Sequence, residues 1–144
     1  MKHYADSSFL VSCYLADAHT VKAKEWLLQA GAPLPFTDLH ALEVPNALRL
    51  GIFRGVISEN QALAAFADIA SDLAAGRLVK SMVDWPVAFR LAARLSERYS
   101  VKFGSRSLDI LHVASARTTR SATFLTFDAR QSALAAGAGL NSLP

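Results

Sequence analysis

Cysteine is almost missing from this 144-residue chain, with Cys13 standing alone. That excludes an internal disulfide and any CxxC metal or redox site, and leaves the thiol the role of a small core hydrophobe. Long apolar runs are missing as well. Asp, Arg or Lys breaks each one before the ~18 residues that a membrane span needs, so no membrane partner is expected. Asp6 also interrupts the stretch after Lys2, which predicts no secretory signal. There is no Gly-rich phosphate loop, no HExxH pair and no GxSxG elbow, so three common catalytic frameworks drop out. Linkers, repeats and low-complexity segments are lacking too. What remains is 52% hydrophobic and 19% charged, a composition for a folded cytoplasmic protein with one domain over residues 1–144.

The charge balance is slight, with 15 Lys and Arg against 12 Asp and Glu. Distribution says more. If four acids gather in one site, 15 cations face the 8 acids left over. A basic surface around an acidic pocket attracts a polyanion and presents it to something that binds cations.

Patterning predicts short strands alternating with helices. Residues 2–5 read as a strand, and Ser7 or Ser8 caps a helix to about Ala16. Thr20 to Gln29 form a second helix closed by Gly31. "PLPFT" is a short strand whose prolines place it at an edge or a strand start. Asp38 caps a helix through Leu50, ended by Gly51. "SENQ" at 58–61 is a capping box opening a helix whose apolar face is Leu63, Phe66, Ile69 and Leu73. "RLVKSMV" follows as a strand. Pro86 then begins a helix with the stripe Trp85, Ala88, Phe89, Ala92, Leu95 and Tyr99. Residues 107–117 are helical, 123–127 a strand, 129–136 a helix and 140–143 a last strand. The class is α/β, a parallel sheet covered by helices on both faces.

In such sheets, ligands bind beyond the carboxyl ends of the strands. Asp6 in "YADSSFLV" and Asp128 in "FLTFDARQ" both stand at strand ends, each directly before a helix. Glu43 in "LHALEVPNAL" and Asp109 in "RSLDILHVASA" lie near the starts of helices with apolar faces. Each has a plain reading. Asp6 and Asp128 could be helix caps. Asp109 could oppose a helix macrodipole for ~0.3–1 kcal/mol, and Glu43 could be solvated. Taken together they point elsewhere. Carboxylates that converge repel one another, and a hard divalent cation such as Mg²⁺ or Mn²⁺ relieves the conflict through oxygen ligands. A metal so held can orient and activate a water and neutralise a phosphoryl group.

Those four stretches, in that order over residues 4–130, resemble the PIN-domain nucleases, most closely the VapC-type toxins of toxin–antitoxin pairs. The resemblance implies a twisted parallel sheet flanked by helices, and metal-dependent hydrolysis of RNA phosphodiesters by an activated water. Asp6, Glu43, Asp109 and Asp128 match the family's acidic positions. Asp6 and Asp109 become candidate direct metal ligands, with Glu43 and Asp128 on metal-bound waters or a second ion. Ser7 and Thr126 match the hydroxyl positions beside the first and last acids. An antitoxin partner and a homodimer follow from the resemblance alone.

Pro45, two residues after Glu43, removes a backbone hydrogen bond within a helix. Either that helix kinks, or its regular part begins near Glu43. Other residues divide between two readings. Asn46, one turn beyond Glu43, could orient it or touch a phosphate. Arg106, three before Asp109, could pair with a site carboxylate, contact RNA or form an ordinary surface ion pair. His112 reads as a structural core histidine, Asp38 as a cap, and Trp26 and Trp85 as packing residues. Arg90, Arg94 and Arg98 repeat every four residues, a solvated helix face or a phosphate track.

Receiver-type and haloacid-dehalogenase-like phosphoryl transfer are disfavoured. "YADSSF" has a single Asp, with Ser8 where the latter needs its second. The rival from another class is a PIN-like binding module for protein or RNA without useful catalysis. Within the enzyme class, an RNA-processing nuclease stands beside the toxin.

Overall fold

The computed structural model describes residues 2–144. In chain order the elements are β1 (His3–Ala5), α1 (Ser7–Tyr14), α2 (Thr20–Ala30), β2 (Leu34–Phe36), α3 (Asp38–Phe53), α4 (Glu59–Ala74), β3 (Leu78–Lys80), α5 (Trp85–Phe103), α6 (Ser107–Thr118), β4 (Thr123–Leu125), α7 (Ala129–Gly137) and β5 (Asn141–Leu143). All strand pairs are parallel, which is the α/β class expected. Two compact units are distinguished: the chain up to Asp6 together with Met82–Pro144, and Ser7–Ser81.

The first unit carries a three-stranded sheet in the order β1-β4-β5. Tyr4 is in register with Phe124, and Ala5 with Leu125. Tyr4, Ala5, Phe124 and Leu125 are fully buried, the continuous apolar pattern of parallel strands covered by helices. The Tyr4 and Phe124 rings stack with centroids 5.9 Å apart. Leu95 of α5, Ile110 and Val113 of α6 and Leu134 of α7 complete this core. His112 is part of it: fully enclosed, it meets the Tyr4 hydroxyl at 2.9 Å through Nδ1. The structural reading of that histidine is the observed one.

Helix α5 begins as its sequence asks, with the Asp84 side chain accepting from the Val87 N–H and Pro86 in the first turn. Gly104 ends it at φ 65°, a left-handed conformation that suits glycine. Phe89 departs from the expected stripe and is 60% exposed, whereas Ala88 and Leu95 are buried. It stands ~100° round the helix from Ala88 and misses the covered face.

The second unit pairs β2 with β3 and holds α1 to α4. Three expectations are corrected here. Thr37, not Asp38, caps α3: it has extended backbone, its side chain accepts from the His40 N–H, and the His40 ring closes the box. The helix then runs unbroken from Asp38 to Phe53 with Pro45 inside, so its regular part does not begin near Glu43. Gly51 lies within the helix rather than ending it, and its lack of a Cβ leaves room for the Ile57 side chain, which a Cβ would meet at 3.0 Å. The left-handed residue of the turn is Gly55, at φ 71°. The capping box of Ser58 and Gln61 forms as expected. The buried face of α4 is Ala62, Ala65 and Ile69, with Leu63 exposed.

Cys13 is buried in this unit, and burial pushes its thiol up to about 12. Tyr14 is raised too, by burial and then by its hydrogen bond to Asp72. At pH 8 the thiolate fraction falls about a thousandfold below that of a free cysteine. Iodoacetamide should therefore alkylate Cys13 in the native protein at least ~10³ times more slowly than in the urea-unfolded chain. Equal rates would show the thiol to be accessible. The sign for stability follows. The native state keeps protons that the unfolded chain releases, so stability declines as pH rises from the ordinary thiol range toward 12.

Candidate active site

The parallel register that aligns Ala5 with Leu125 places Asp6 beside Thr126 one step further on. The Asp6 N–H extends the ladder to the Leu125 carbonyl at 3.0 Å. Asp6 is only 2% exposed. Its Oδ2 accepts a hydrogen bond of 2.5 Å from the Thr126 hydroxyl, whose oxygen in turn accepts from the Asp128 N–H at 3.0 Å. One threonine thus fixes the first acid and the backbone of the last.

Asp128 caps α7, its Oδ1 accepting from the Arg130 and Gln131 N–H groups at 2.8 and 3.0 Å. Gln131, buried, donates through its side-chain amide to the Asp109 carbonyl at 3.2 Å. Asp109 lies in the first turn of α6. Its Oδ2 accepts from Arg106 Nε at 3.1 Å, with the side chains 27% and 79% exposed. Exposed pairs of this kind contribute ~0–1 kcal/mol, so Arg106 is readily displaced. Asp109, Asp128, Arg106, Arg130 and Gln131 line one pocket of about 110 Å³. Ser105 lines it as well, and its buried hydroxyl oxygen has no hydrogen-bond partner among the described residues.

In the Ser7–Ser81 unit, Glu43 is half-buried on α3, and its Oε1 accepts from the Ser7 hydroxyl at 2.9 Å. Asn46 is exposed one turn further on. Of the two hydroxyls predicted to support the site, Ser7, next to Asp6, donates to Glu43, and Thr126 donates to Asp6 while accepting from the Asp128 N–H.

Sequence reasoning passed over Gln131 and Ser105. The signal for Gln131 was present, since "DARQ" has capping-box spacing. Its amide does not return to the Asp128 N–H, which Thr126 already occupies, and reaches α6 instead. Ser105 gave no signal; only the fold brings it to the pocket.

A PIN-domain family profile matches residues 4–137. The chain belongs to the PIN-domain family. No curated protein matches it in sequence. PIN domains are generally nucleases that bind RNA and typically use divalent metal ions. In this PIN domain, no group of three or more His, Cys, Asp or Glu among the described residues is gathered closely enough to hold a metal ion as the side chains stand. The donor set still suits a hard cation, since its anionic groups are all carboxylates and the hydroxyl oxygen of Ser105 is unpartnered at the pocket. Among the described residues, no helix is long and apolar enough to cross a membrane.

The cap and ligand readings of Asp128 separate experimentally. Asparagine caps a helix about as well as aspartate, whereas alanine costs ~1 kcal/mol. Asp128→Asn should keep the urea midpoint and lose cleavage, and Asp128→Ala should lower both. Full activity in Asp128→Asn would leave Asp128 a cap alone.

Proposed function

We propose that this PIN domain is a metal-dependent endoribonuclease and the toxin of a toxin–antitoxin pair, cytoplasmic and homodimeric. The observation that carries the nuclease is the linkage of Asp6, Thr126 and Asp128 at the strand ends, with Asp128 and Asp109 lining one pocket. Asp6 and Asp109 would hold Mg²⁺ or Mn²⁺, with Asp128 supporting. Glu43 matches the family's remaining acidic position by its sequence motif alone. When bound, such a cation supplies neutralisation of the phosphoryl charge and acidifies a water. The chain's own part is positioning. Thr126 fixes the Asp6 carboxylate, the α7 cap fixes Asp128, and Gln131 ties α7 to Asp109. Arg106, weakly paired, can turn to a phosphate oxygen. The toxin role, the antitoxin and the homodimer rest on the motif resemblance.

Single-stranded RNA incubated with the purified protein should be cleaved with Mg²⁺ or Mn²⁺ and spared with EDTA. A binding module without useful catalysis is the second reading. It draws support from the Arg106–Asp109 pair and from the lack of a gathered ligand set among the described residues. No cleavage across a broad RNA panel, and no metal binding by calorimetry, would make it the leading reading.

A further inference from the structure

The cations of the chain are unevenly shared. The unit that contains Asp6, Asp109 and Asp128 carries 9 of the 15 Lys and Arg against 5 of the 12 Asp and Glu, which leaves 6 against 7 in the Ser7–Ser81 unit. Beyond those three aspartates, the acids of the basic unit are Asp84, which caps α5, and Glu97. The surplus is not scattered. Arg90, Arg94, Arg98 and Lys102 follow one another at four-residue intervals along α5, and all are exposed. Among the described residues, none of these four cations takes part in an ion pair, unlike Arg77 with Asp72 and Arg106 with Asp109.

We infer that this face of α5 is the track on which the phosphate backbone of single-stranded RNA lies on its way to the Asp109–Asp128 pocket. The inference rests on the nuclease reading above and names the path of its substrate. Four residues of α-helix rise ~6 Å, so the cations recur at about the spacing of successive phosphates in an extended strand, over ~18 Å in all. Arg98 lies 5.3 Å over the Tyr99 ring, and Lys102 the same distance over Phe103. Stacking restrains these long side chains while leaving donors to the solvent. At the C-terminal end of the helix, Gly104, Ser105 and Arg106 lead directly into the wall of the pocket. Lys102 and Arg106 are four residues apart, a span of no more than ~14 Å, so the last cation of the track and the first of the pocket are near neighbours. Glu97, exposed one turn from Arg94, is the one carboxylate beside the path.

A fluorescent single-stranded RNA 12-mer, titrated in EDTA so that it is not cut, tests this. The variant Arg90→Gln/Arg94→Gln/Arg98→Gln should bind at least about tenfold more weakly, with a salt slope shallower by ~2. Glu97→Gln should bind more tightly, a change of sign that damage to the fold would not produce. With Mg²⁺, the triple variant should raise KM and leave kcat nearly unchanged. Removing the same charge from Lys22, Lys24 and Arg54 of the other unit should leave affinity and slope alone. If wild type and triple variant bind RNA alike while both cleave it, the track is wrong and the nuclease stands. If the wild type neither binds nor cleaves RNA, the nuclease reading fails and the track with it.

Discussion

Asp6→Asn should abolish metal-dependent RNA cleavage while leaving the protein folded. Asparagine is isosteric and keeps an oxygen to accept the Thr126 hydroxyl, so the hydrogen bond that orients the side chain survives. What disappears is the negative charge. Electrostatic stabilisation by a bound cation is worth several kcal/mol in phosphoryl transfer. Losing ~4 kcal/mol slows the reaction about a thousandfold. Asp109→Asn should fall by a similar factor, and it also loses the ion pair with Arg106, a change of under ~1 kcal/mol in stability. Single-turnover cleavage and thermal melting of the same preparations check both. A variant that melts as wild type does and cuts at an undiminished rate would remove its aspartate from the site.

Phe124→Ala should be the most damaging single change to the fold. The ring is fully buried, stacked on Tyr4 and central to the core that α5, α6 and α7 share with the sheet. Truncating such an aromatic costs ~3–5 kcal/mol, because the cavity adds to the lost transfer energy. Against a typical total of ~5–15 kcal/mol that is a large share, and the urea midpoint should fall by ~2 M. Phe124→Leu, which keeps most of the volume, should cost clearly less. The consequence reaches the site, since the same strand carries Thr126 to Asp6. Cleavage by Phe124→Ala should therefore fail at a lower temperature than in the wild type. A loss under ~1 kcal/mol would mean that the core is not packed around this ring.

The alternation of elements was legible because its signals are local. Apolar runs bounded by Gly and Pro gave the strands, and Ser58 with Gln61 gave a helix start through hydrogen bonds spanning three residues. Where the sequence misled, its local signal fitted more than one outcome. Gly51 looks like a stop, yet it sits inside α3, where its missing side chain makes room for Ile57. Asp38 looks like a cap, but Thr37 has the extended backbone that a cap needs. Leu63 and Phe89 belong to apolar stripes and remain exposed, because periodicity marks a face without saying how much of it a neighbour covers.

For the acids the division is similar. Their identities, their places at strand ends and helix starts, and the family they suggest were written in the sequence. The partners of each were not. No local rule connects Asp6 to Thr126, 120 residues away, or Gln131 to the Asp109 carbonyl. Those contacts exist because parallel pairing sets β1 beside β4 in one register, and because the shared core packs α6 and α7 together. The sequence by itself determined which side chains can do chemistry here. Tertiary structure decided which of them meet, because a strand register and a packed core bring together residues that the chain keeps far apart.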